Sequence, residues 1–402
     1  MNIFYKIYAR IFQTVFKLAI PLLPYKNPEI ISKIEDIVKV LKSNNKNNSL
    51  IVTDKGIINA GLLNYLINAL DNNKISYSLY SEVVSNPTSN IVYEGSKIYK
   101  NNNCDSLIAF GGGSSMDTAK AIGAVLVKPK KKLSDLEGIL HVGKKIPLLI
   151  AIPTTCGTGS ETTLAAVITD SETRHKYAIN DFPLIPSYAV LDGKLLLNLP
   201  SHLIATTGLD ALTHAIEAFI GRSATKATKA DSLDAIKLIF ENILDAYNNH
   251  TQESLNNMLL ASYKAGRAFT KSYVGYVHAI AHSLGGKYNI PHGYANAVIL
   301  PYVLKEYDKA IYKKIAIIYD FINLGDKNIS NEEKFKIFLN KLLELEEKLS
   351  IDRTINCIND TDIDEMVAYA LKEANPLYPV PVLWDKNKMK KMYYIIQGET
   401  HE

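Results

Sequence analysis

The 402-residue chain has few cysteines and no long uninterrupted apolar run. Its three cysteines, Cys104, Cys156 and Cys357, show no CxxC spacing. This argues against a disulfide framework and favours a reducing compartment. No apolar run reaches the roughly 20 residues that are needed to span a bilayer. We therefore expect a globular protein of the cytoplasm.

A large excess of one charge is also missing. The chain has 45 Lys and Arg against 41 Asp and Glu, a net charge of +4. An excess this small and diffuse does not indicate a nucleic-acid partner, so none is expected. The length is sufficient for two domains with sizeable cores.

Basic charge is concentrated in residues 1–48, which carry eight Lys or Arg and three Asp or Glu, a net +5. Apolar residues repeat near the helical period between Ile3 and Leu18. We expect a helical extension that docks on its own body or on a second subunit of a homo-oligomer, a dimer or larger. A basic amphipathic helix on a membrane surface is the less favoured alternative.

The order of apolar segments predicts two domains after this extension. Apolar runs at 49–53, 106–110 and 146–152 alternate with helical segments. This alternation predicts an α/β domain with a parallel sheet over 49–199. Beyond Pro200, helical periodicity covers 201–250, 253–285, 296–323 and 331–348. Residues 200–402 are therefore expected to form an all-helical domain.

Four side chains of the second half have the types and spacing of a metal site. Asp210 and His214 are four residues apart, so on a helix they share one face. His278 and His292 follow in other helical segments. One carboxylate and three imidazoles suit Fe(II) or Zn(II) better than Mg(II) or Ca(II), which prefer oxygen ligands. Taken singly, each histidine is more often a hydrogen-bonded core residue than a ligand, but one shared ion would satisfy several of these buried imidazoles at once.

Two loops at predicted strand ends suit a phosphate-containing cofactor. The run 111–120 begins with three glycines, follows a strand and opens a helix, so backbone N–H groups can approach a pyrophosphate. It is not the GxGxxG fingerprint, and a glycine-rich turn without a ligand is the alternative. The run 153–161 brings small hydroxyl groups to another strand end, where ligands of parallel sheets bind. The expected cofactor contacts of the two regions are Gly111, Gly112, Gly113, Ser114, Ser115, Asp117, Thr154, Thr155, Thr158, Ser160 and Thr163.

Asp54 follows the first long strand and predicts the choice between the two nicotinamide cofactors. A carboxylate at this place can accept hydrogen bonds from ribose hydroxyls and repels a 2′-phosphate, which favours NAD(H) over NADP(H). The alternative is an aspartate that forms a turn beside Gly56.

Together these motifs give the sequence a resemblance to the iron-containing (group III) alcohol dehydrogenase family. The resemblance extends from about Ile51 to Tyr302 and is carried by four runs, 111–120, 153–161, 208–217 and 278–296. It implies a Rossmann-like first domain, an all-α second domain, and an active site with metal and nicotinamide in a cleft between them. It also implies that Asp210, His214, His278 and His292 are the metal ligands.

Further roles come only from this resemblance. His282 is implied to lie near the substrate oxygen and to relay a proton, Asn86 and Lys176 to contact the cofactor, and Phe269 to line the substrate pocket. The segment 375–381 departs from the family's usual ending, which leaves the substrate open.

The expected activity is metal-dependent hydride transfer between NAD(H) and a small primary alcohol or diol, or its aldehyde. Three alternatives remain. The first is an NADP(H)-dependent aldehyde reductase of the same family. The second is a metal-dependent hydrolase, which would not need the two loops. The third is a non-catalytic NAD-binding or membrane-attached scaffold, which only the basic N-terminus favours.

Overall fold

The computed structural model describes residues 3–398, which form two compact units. The α/β unit is Pro24–Asn198. The helical unit combines the chain before Pro24 with the chain from Leu199 onwards. The predicted extension, residues 1–48, is thus divided after Leu23. The helix α1 (Ile3–Ala19) belongs to the helical unit, and the residues from Pro24 onwards belong to the α/β unit.

The α/β unit is built on a six-stranded sheet whose strand pairs are all parallel, which confirms the predicted fold class. Its order is β1-β9-β6-β4-β2-β3. The middle parts of the central strands, 50–52, 107–109 and 149–152, are Val, Ile, Leu and Ala that are almost completely buried, because helices cover both faces of such sheets. The strands are β1 (Glu29–Ile31), β2 (Asn48–Val52), β3 (Ser76–Tyr80), β4 (Ser106–Gly111), β6 (Leu148–Pro153) and β9 (Tyr188–Val190).

A second sheet of three short strands completes this unit. Its strands are β5 (Gly138–Ile139), β7 (Ala165–Thr169) and β8 (Lys176–Asn180). The helices of the unit are α2 (Ile37–Ser43), α3 (Lys55–Asn59), α4 (Leu63–Asp71), α5 (Ser89–Asn101) and α6 (Gly113–Val127).

The second half of the chain is helical, as predicted. Its first helix, α7, passes through the core, and the predicted periodic segments all form helices. Two further helices follow that the periodicity did not indicate. The elements are α7 (Ser201–Ile220), α8 (Lys226–Asn249), α9 (Gln252–Ser272), α10 (Tyr276–Tyr288), α11 (His292–Tyr307), α12 (Tyr312–Phe321), α13 (Asn331–Lys348), α14 (Asp360–Ala374) and α15 (Lys386–Gln397).

Helix α7 is long and apolar enough to cross a membrane by length and composition alone. In the protein 83% of its apolar window is buried, because α8, α9 and α11 pack around it. A helix that is apolar on all sides is typical of a core helix in a large protein. The polar side chains that α7 carries are therefore held in the core.

Helix α1 packs on the helical unit through its polar face. Arg10 donates from Nη1 to Val380 O (2.7 Å) and from Nη2 to Pro381 O (3.0 Å). Gln13 is buried and donates to Tyr378 O at 2.8 Å. The extension thus docks on its own body, as predicted. Of its large apolar groups Phe12, Phe16 and Leu23 are partly buried, whereas most other apolar side chains of α1 face outward.

Candidate metal centre and cofactor cradle

The predicted metal ligands meet inside the helical unit. One potential ligand atom from each of Asp210, His214, His278 and His292 lies within 4.8 Å of all the others. Asp210 Oδ1 is central, at 3.9 Å from His214 Nδ1, 3.8 Å from His278 Nε2 and 3.6 Å from His292 Nε2. The structure therefore brings together all four residues.

Three helices supply the four side chains. Asp210 and His214 are one turn apart on α7, His278 is in the first turn of α10, and His292 is the first residue of α11. Close approach of α11 to α7 depends on Gly293. A Cβ atom at this position would lie 2.5 Å from Thr206 O on α7, well inside contact distance. Glycine here lets His292 reach Asp210.

The donor set fits a divalent transition metal. His278 Nε2 is buried, and within residues 3–398 it has no hydrogen-bond partner, although buried imidazole nitrogens are normally satisfied. Burial, helped by the neighbouring His214 and His292, holds the pKa of His278 well below its usual value. The imidazole is therefore neutral at pH 7, which is the form that binds metal.

Glu217 orients one of these ligands, and the sequence analysis gave it no role. His278 Nδ1 donates to Glu217 Oε2 at 2.6 Å, which leaves Nε2 unprotonated and aimed at Asp210. Glu217 also accepts from the backbone N–H groups of Gly275 and Val277. Burial raises the pKa of Glu217 to about 7, although these hydrogen bonds act in the opposite direction. Carboxylates in this position orient metal-binding histidines.

Asn296 contributes a second outer contact. Its Nδ2 donates to Asp210 Oδ1 at 2.7 Å and lies 3.0 Å from His292 Nε2. Both missed residues have a signal in the sequence. Glu217 follows Asp210 by seven residues and Asn296 follows His292 by four, so each shares a helix face with a ligand.

His282 lies beside the centre without joining the ligand group. Its ring stacks on His292 with 5.0 Å between centroids, and its side chain is 44% exposed. Its Nδ1 lies 2.6 Å from Oε1 of Glu373 on α14, which also accepts from Tyr378 Oη at 2.5 Å. Burial works to raise the pKa of Glu373, but the charge and hydrogen bond of His282 outweigh it and the pKa is lowered. Position and partner suit a proton relay.

Phe269 is also next to the centre. Its ring stacks on His214 with 4.1 Å between centroids and 12° between planes. His214 in turn stacks on His278 at 4.4 Å. The phenyl ring thus lies directly beside the ligands, and its place in the substrate pocket stays a prediction.

In the α/β unit the two predicted cofactor loops lie against each other. Thr154 N donates to Gly111 O at 3.1 Å. Gly111 has φ +148°, and a Cβ atom there would lie 2.5 Å from Ser115 Oγ, so only glycine fits. Gly112 caps α6 and Gly113 begins it, so the N-terminal N–H groups of this helix open at the loop.

The threonines of the second loop form the other side of this cradle. A Cβ atom at Gly112 would meet Thr155 at 3.8 Å, and one at Gly113 would meet Thr158 at 3.3 Å. Thr155 Oγ1 is buried, and no described residue forms a hydrogen bond with it. A buried hydroxyl beside a glycine-rich helix N-terminus is a fitting donor for a phosphate or carboxamide oxygen. The cradle therefore fits a nicotinamide dinucleotide.

Lys120 holds the two loops together from below and was not assigned a role from sequence. It is fully buried and donates to Ser160 O, Ser160 Oγ, Thr163 Oγ1 and Ala165 O at 2.7–3.0 Å. Asp117 accepts from Ser160 Oγ and Val167 N. Burial lowers the pKa of Lys120 to about 8. The observed contacts of Asp117, Ser160 and Thr163 are thus structural, and their contact with cofactor stays a prediction.

Asp54 has a structural role, and its predicted contact with the cofactor ribose stays a prediction. Its Oδ1 caps α3 by accepting from Ile57 N at 3.0 Å. Its Oδ2 faces Gly111, since a Cβ atom there would lie 3.3 Å from it. The carboxylate therefore borders the cradle, as a ribose partner must.

Asn86 and Lys176 contact each other at the edge of the same unit. Lys176 Nζ donates to Asn86 Oδ1 at 2.8 Å. Ser114 O accepts from Thr118 Oγ1, and the Ser115 side chain is buried under Gly111. Contact of these four residues with cofactor stays a prediction.

Comparison with known families matches both units. Residues 28–193 match the family described as iron-containing alcohol dehydrogenase, and residues 204–395 match the C-terminal domain of the same family. The chain belongs to the iron-containing alcohol dehydrogenases. It is a metal-dependent oxidoreductase of the alcohol dehydrogenase type, as the motifs predicted.

Characterised relatives cover most of the chain. It is 39% identical to alcohol dehydrogenase 4 of Schizosaccharomyces pombe, over 86% of this chain and 82% of the relative. It is 33% identical to 1,3-propanediol dehydrogenase of Citrobacter freundii, over 90% and 94%. Lactaldehyde reductase of Escherichia coli is 40% identical over 64% of this chain and 67% of the relative.

Solved structures agree with the fold. An alcohol dehydrogenase from Oenococcus oeni has a TM-score of 0.87 at 31% identity, with 92% of this chain and all of that chain covered. Sulfoacetaldehyde reductase from Bifidobacterium kashiwanohense, solved with NAD+, has a TM-score of 0.82 at 26% identity, covering 93% and 98%.

Proposed function

We propose that this dehydrogenase uses Fe(II), held by Asp210, His214, His278 and His292, to interconvert a small primary alcohol or diol and its aldehyde with NAD(H). The observation that carries the proposal is the group of four ligand atoms within 4.8 Å of one another. Zn(II) suits the same donors and is the alternative metal.

A bound divalent metal would supply Lewis acidity to the alcohol or carbonyl oxygen, lowering the pKa of the alcohol. The chain's own residues do the rest. Glu217 keeps His278 in the tautomer with a free Nε2, and Asn296 fixes the Asp210 carboxylate. Phe269 excludes water beside His214.

His282 moves the proton in this proposal. With Nδ1 held by Glu373, its Nε2 accepts the proton that the alcohol loses and passes it to solvent, to which the side chain is 44% exposed. In the direction of aldehyde reduction the same nitrogen supplies the proton.

NAD(H) is the proposed cofactor. The helix N-terminus at Gly112 and the Thr155 hydroxyl suit the phosphates and carboxamide, and Asp54 suits the ribose hydroxyls. The sulfoacetaldehyde reductase neighbour was solved with NAD+, which supports this choice.

The relatives indicate the substrate class. Propanediol and lactaldehyde are named for two of them, and both are short oxygenated compounds. We propose a substrate of about this size, a homo-oligomeric enzyme, and a cytoplasmic setting, which suits three cysteines without CxxC spacing.

The test is a substrate screen on purified protein loaded anaerobically with Fe(II) or Zn(II). NADH oxidation is followed with short aldehydes and NAD+ reduction with the matching alcohols and diols. We expect turnover with one of the pairs and higher activity with Fe(II). Ester or phosphoester cleavage without NADH consumption would contradict the proposal and favour a hydrolase.

A further inference from the structure

Helix α1 turns a long apolar face to solvent. At 3.6 residues per turn the apolar residues of this face lie within an arc of about 140°. Phe4 is 76% exposed and Leu18 is 71% exposed. Soluble proteins seldom leave so large a continuous apolar patch without a binding partner. The face consists of Ile3, Phe4, Ile7, Tyr8, Ile11, Val15 and Leu18, and Leu22 extends it.

The orientation of this face is fixed by contacts at its border, from Arg10, and on the side away from it, from Gln13. Arg10 and Gln13 donate to backbone carbonyls of Tyr378, Val380 and Pro381. Phe16 packs edge-on against Tyr273 at 5.1 Å. An amphipathic helix normally buries its apolar face against the core. Here the buried carbonyls of 378–381 need donors, so the polar face docks and the apolar face is presented outward.

The surroundings of the helix are basic. No Asp or Glu precedes Glu29 in the chain. An α-helix rotates by about 100° per residue, so Lys6, Arg10 and Lys17 point in nearly the same direction. They form one narrow stripe along an edge of α1. Arg222, Lys229 and Lys314 of the helical unit add further positive charge, and Lys314 is near enough to Lys17 and Arg10 to feel their charges.

The effect of these cations on one another is visible at Lys314. Burial, and then the charges of Lys229, Arg222, Lys17 and Arg10, lower its pKa to about 8. At the other end of the helix, the hydrogen bond from Lys388 N lowers the pKa of Asp385. The nearby charge of Lys6 lowers this pKa further. The edge of the apolar face is therefore positively charged along most of its length.

The combination of an apolar face and a basic edge decides which kind of partner fits α1. In a second copy packed antiparallel across a two-fold axis, the two basic edges would fall on the same side, so that Lys6 of one chain would face Lys17 of the other. A surface with an apolar interior and an anionic outer layer suits both the apolar face and the basic edge. The aromatic rings of Phe4, Tyr5 and Tyr8 suit the boundary between the two layers.

We propose that α1 binds the surface of an anionic phospholipid bilayer, lying in the plane of the headgroups with Ile3, Ile7, Ile11 and Leu18 inserted. The helix does not span the membrane. Its polar contacts with 378–381 hold the rest of the enzyme at that surface. The membrane surface was the less favoured alternative of the sequence analysis, and here it is combined with the expected docking on the protein's own body.

The experiment is flotation of the full-length protein with vesicles. One set contains phosphatidylcholine only, and the other contains about one third phosphatidylglycerol. We expect binding to the anionic set, at least about tenfold weaker binding to the neutral set, and loss of binding when NaCl rises from about 0.05 M to about 0.5 M.

Two double variants identify the surface. Ile7→Gln/Ile11→Gln should lower binding to anionic vesicles by about tenfold or more. The matched control, Ile30→Gln/Ile139→Gln, changes isoleucines that are 42% and 53% exposed on the α/β unit, and should bind as the unmodified protein does. Circular dichroism should give equal melting temperatures for both.

Three results would overturn the proposal. These are no binding by the unmodified protein, equal binding to both vesicle sets, and full binding by the α1 variant. If the unmodified protein does not bind vesicles and the α1 variant has a smaller mass by light scattering, the apolar face binds a second copy of the chain instead.

Discussion

The helical unit holds its site with side chains, whereas the α/β unit forms its cradle mainly from backbone. Asp210 and three histidines converge on one point, and their partners Glu217 and Asn296 are polar side chains. In the cradle, Gly111 and Gly112 provide space and N–H groups, and the polar side chains below them bond to Lys120. The comparison teaches that single substitutions should be decisive in the first site and graded in the second.

The largest effect is expected at Asp210. Asp210→Asn keeps the shape of the side chain but removes the negative charge shared by three imidazoles. Loss of a residue that only hydrogen-bonds to a metal ligand lowers metal affinity or activity by roughly 10–100-fold. Loss of the ligand Asp210 should lower bound metal and turnover by more than this. Metal analysis by mass spectrometry and an NADH assay measure this. Asp234→Asn, which removes an ion-pair partner of Lys264 elsewhere in the unit, is the control and should retain both.

A pair of Gln substitutions separates the metal-orienting carboxylate from the relay carboxylate. Glu217→Gln should weaken metal binding about 10–100-fold, because an amide cannot hold His278 in the same way. Glu373→Gln, the matched variant, should leave metal affinity within about threefold and lower turnover instead. Chelator competition measures the affinities. Equal losses of metal in the two variants would contradict the separation of roles.

The next effect concerns His282. His282→Ala should keep metal and NAD(H) binding but lower kcat by about a hundredfold. The loss in alcohol oxidation should be greatest near neutral pH, where scarce hydroxide makes direct proton loss to solvent slow. It should shrink in acid, where a protonated imidazole cannot accept the proton. A pH profile of kcat measures this. Metal loss equal to that of a ligand variant would make His282 a ligand, and an unchanged kcat would make it a packing residue.

The comparison also shows which features the sequence could predict. Metal ligands are identifiable because residue type fixes their chemistry, and α-helical spacing brings Asp210 and His214 to one face. The strands β2, β4 and β6 were predicted because buried parallel strands are continuous apolar runs.

Other features depend on contacts between distant parts of the chain. Nothing local shows that Lys120 uses Ser160 and Thr163, 40 or more residues away, as acceptors. The period of α1 indicates an apolar face but not which face docks, because that depends on carbonyls of 378–381. Glu373 likewise reaches His282 across 91 residues.

The smallest expected effect is in the cradle. Asp54→Asn keeps an oxygen that can cap α3 through Ile57 N but removes the charge that repels a 2′-phosphate. The ratio of kcat/KM for NADPH to that for NADH should rise about tenfold, equal to about 1.4 kcal/mol. Steady-state kinetics with both cofactors measure this. A preference of the unmodified enzyme for NADPH would contradict the role given to Asp54.

The most direct test of the central claim is an anaerobic titration of metal-stripped protein with Fe(II), followed by NADH oxidation with an aldehyde substrate. The account predicts no turnover before metal is added and a plateau at one equivalent per chain, with no such plateau for Asp210→Asn. Full turnover of the stripped protein, or the same plateau in Asp210→Asn, would contradict it.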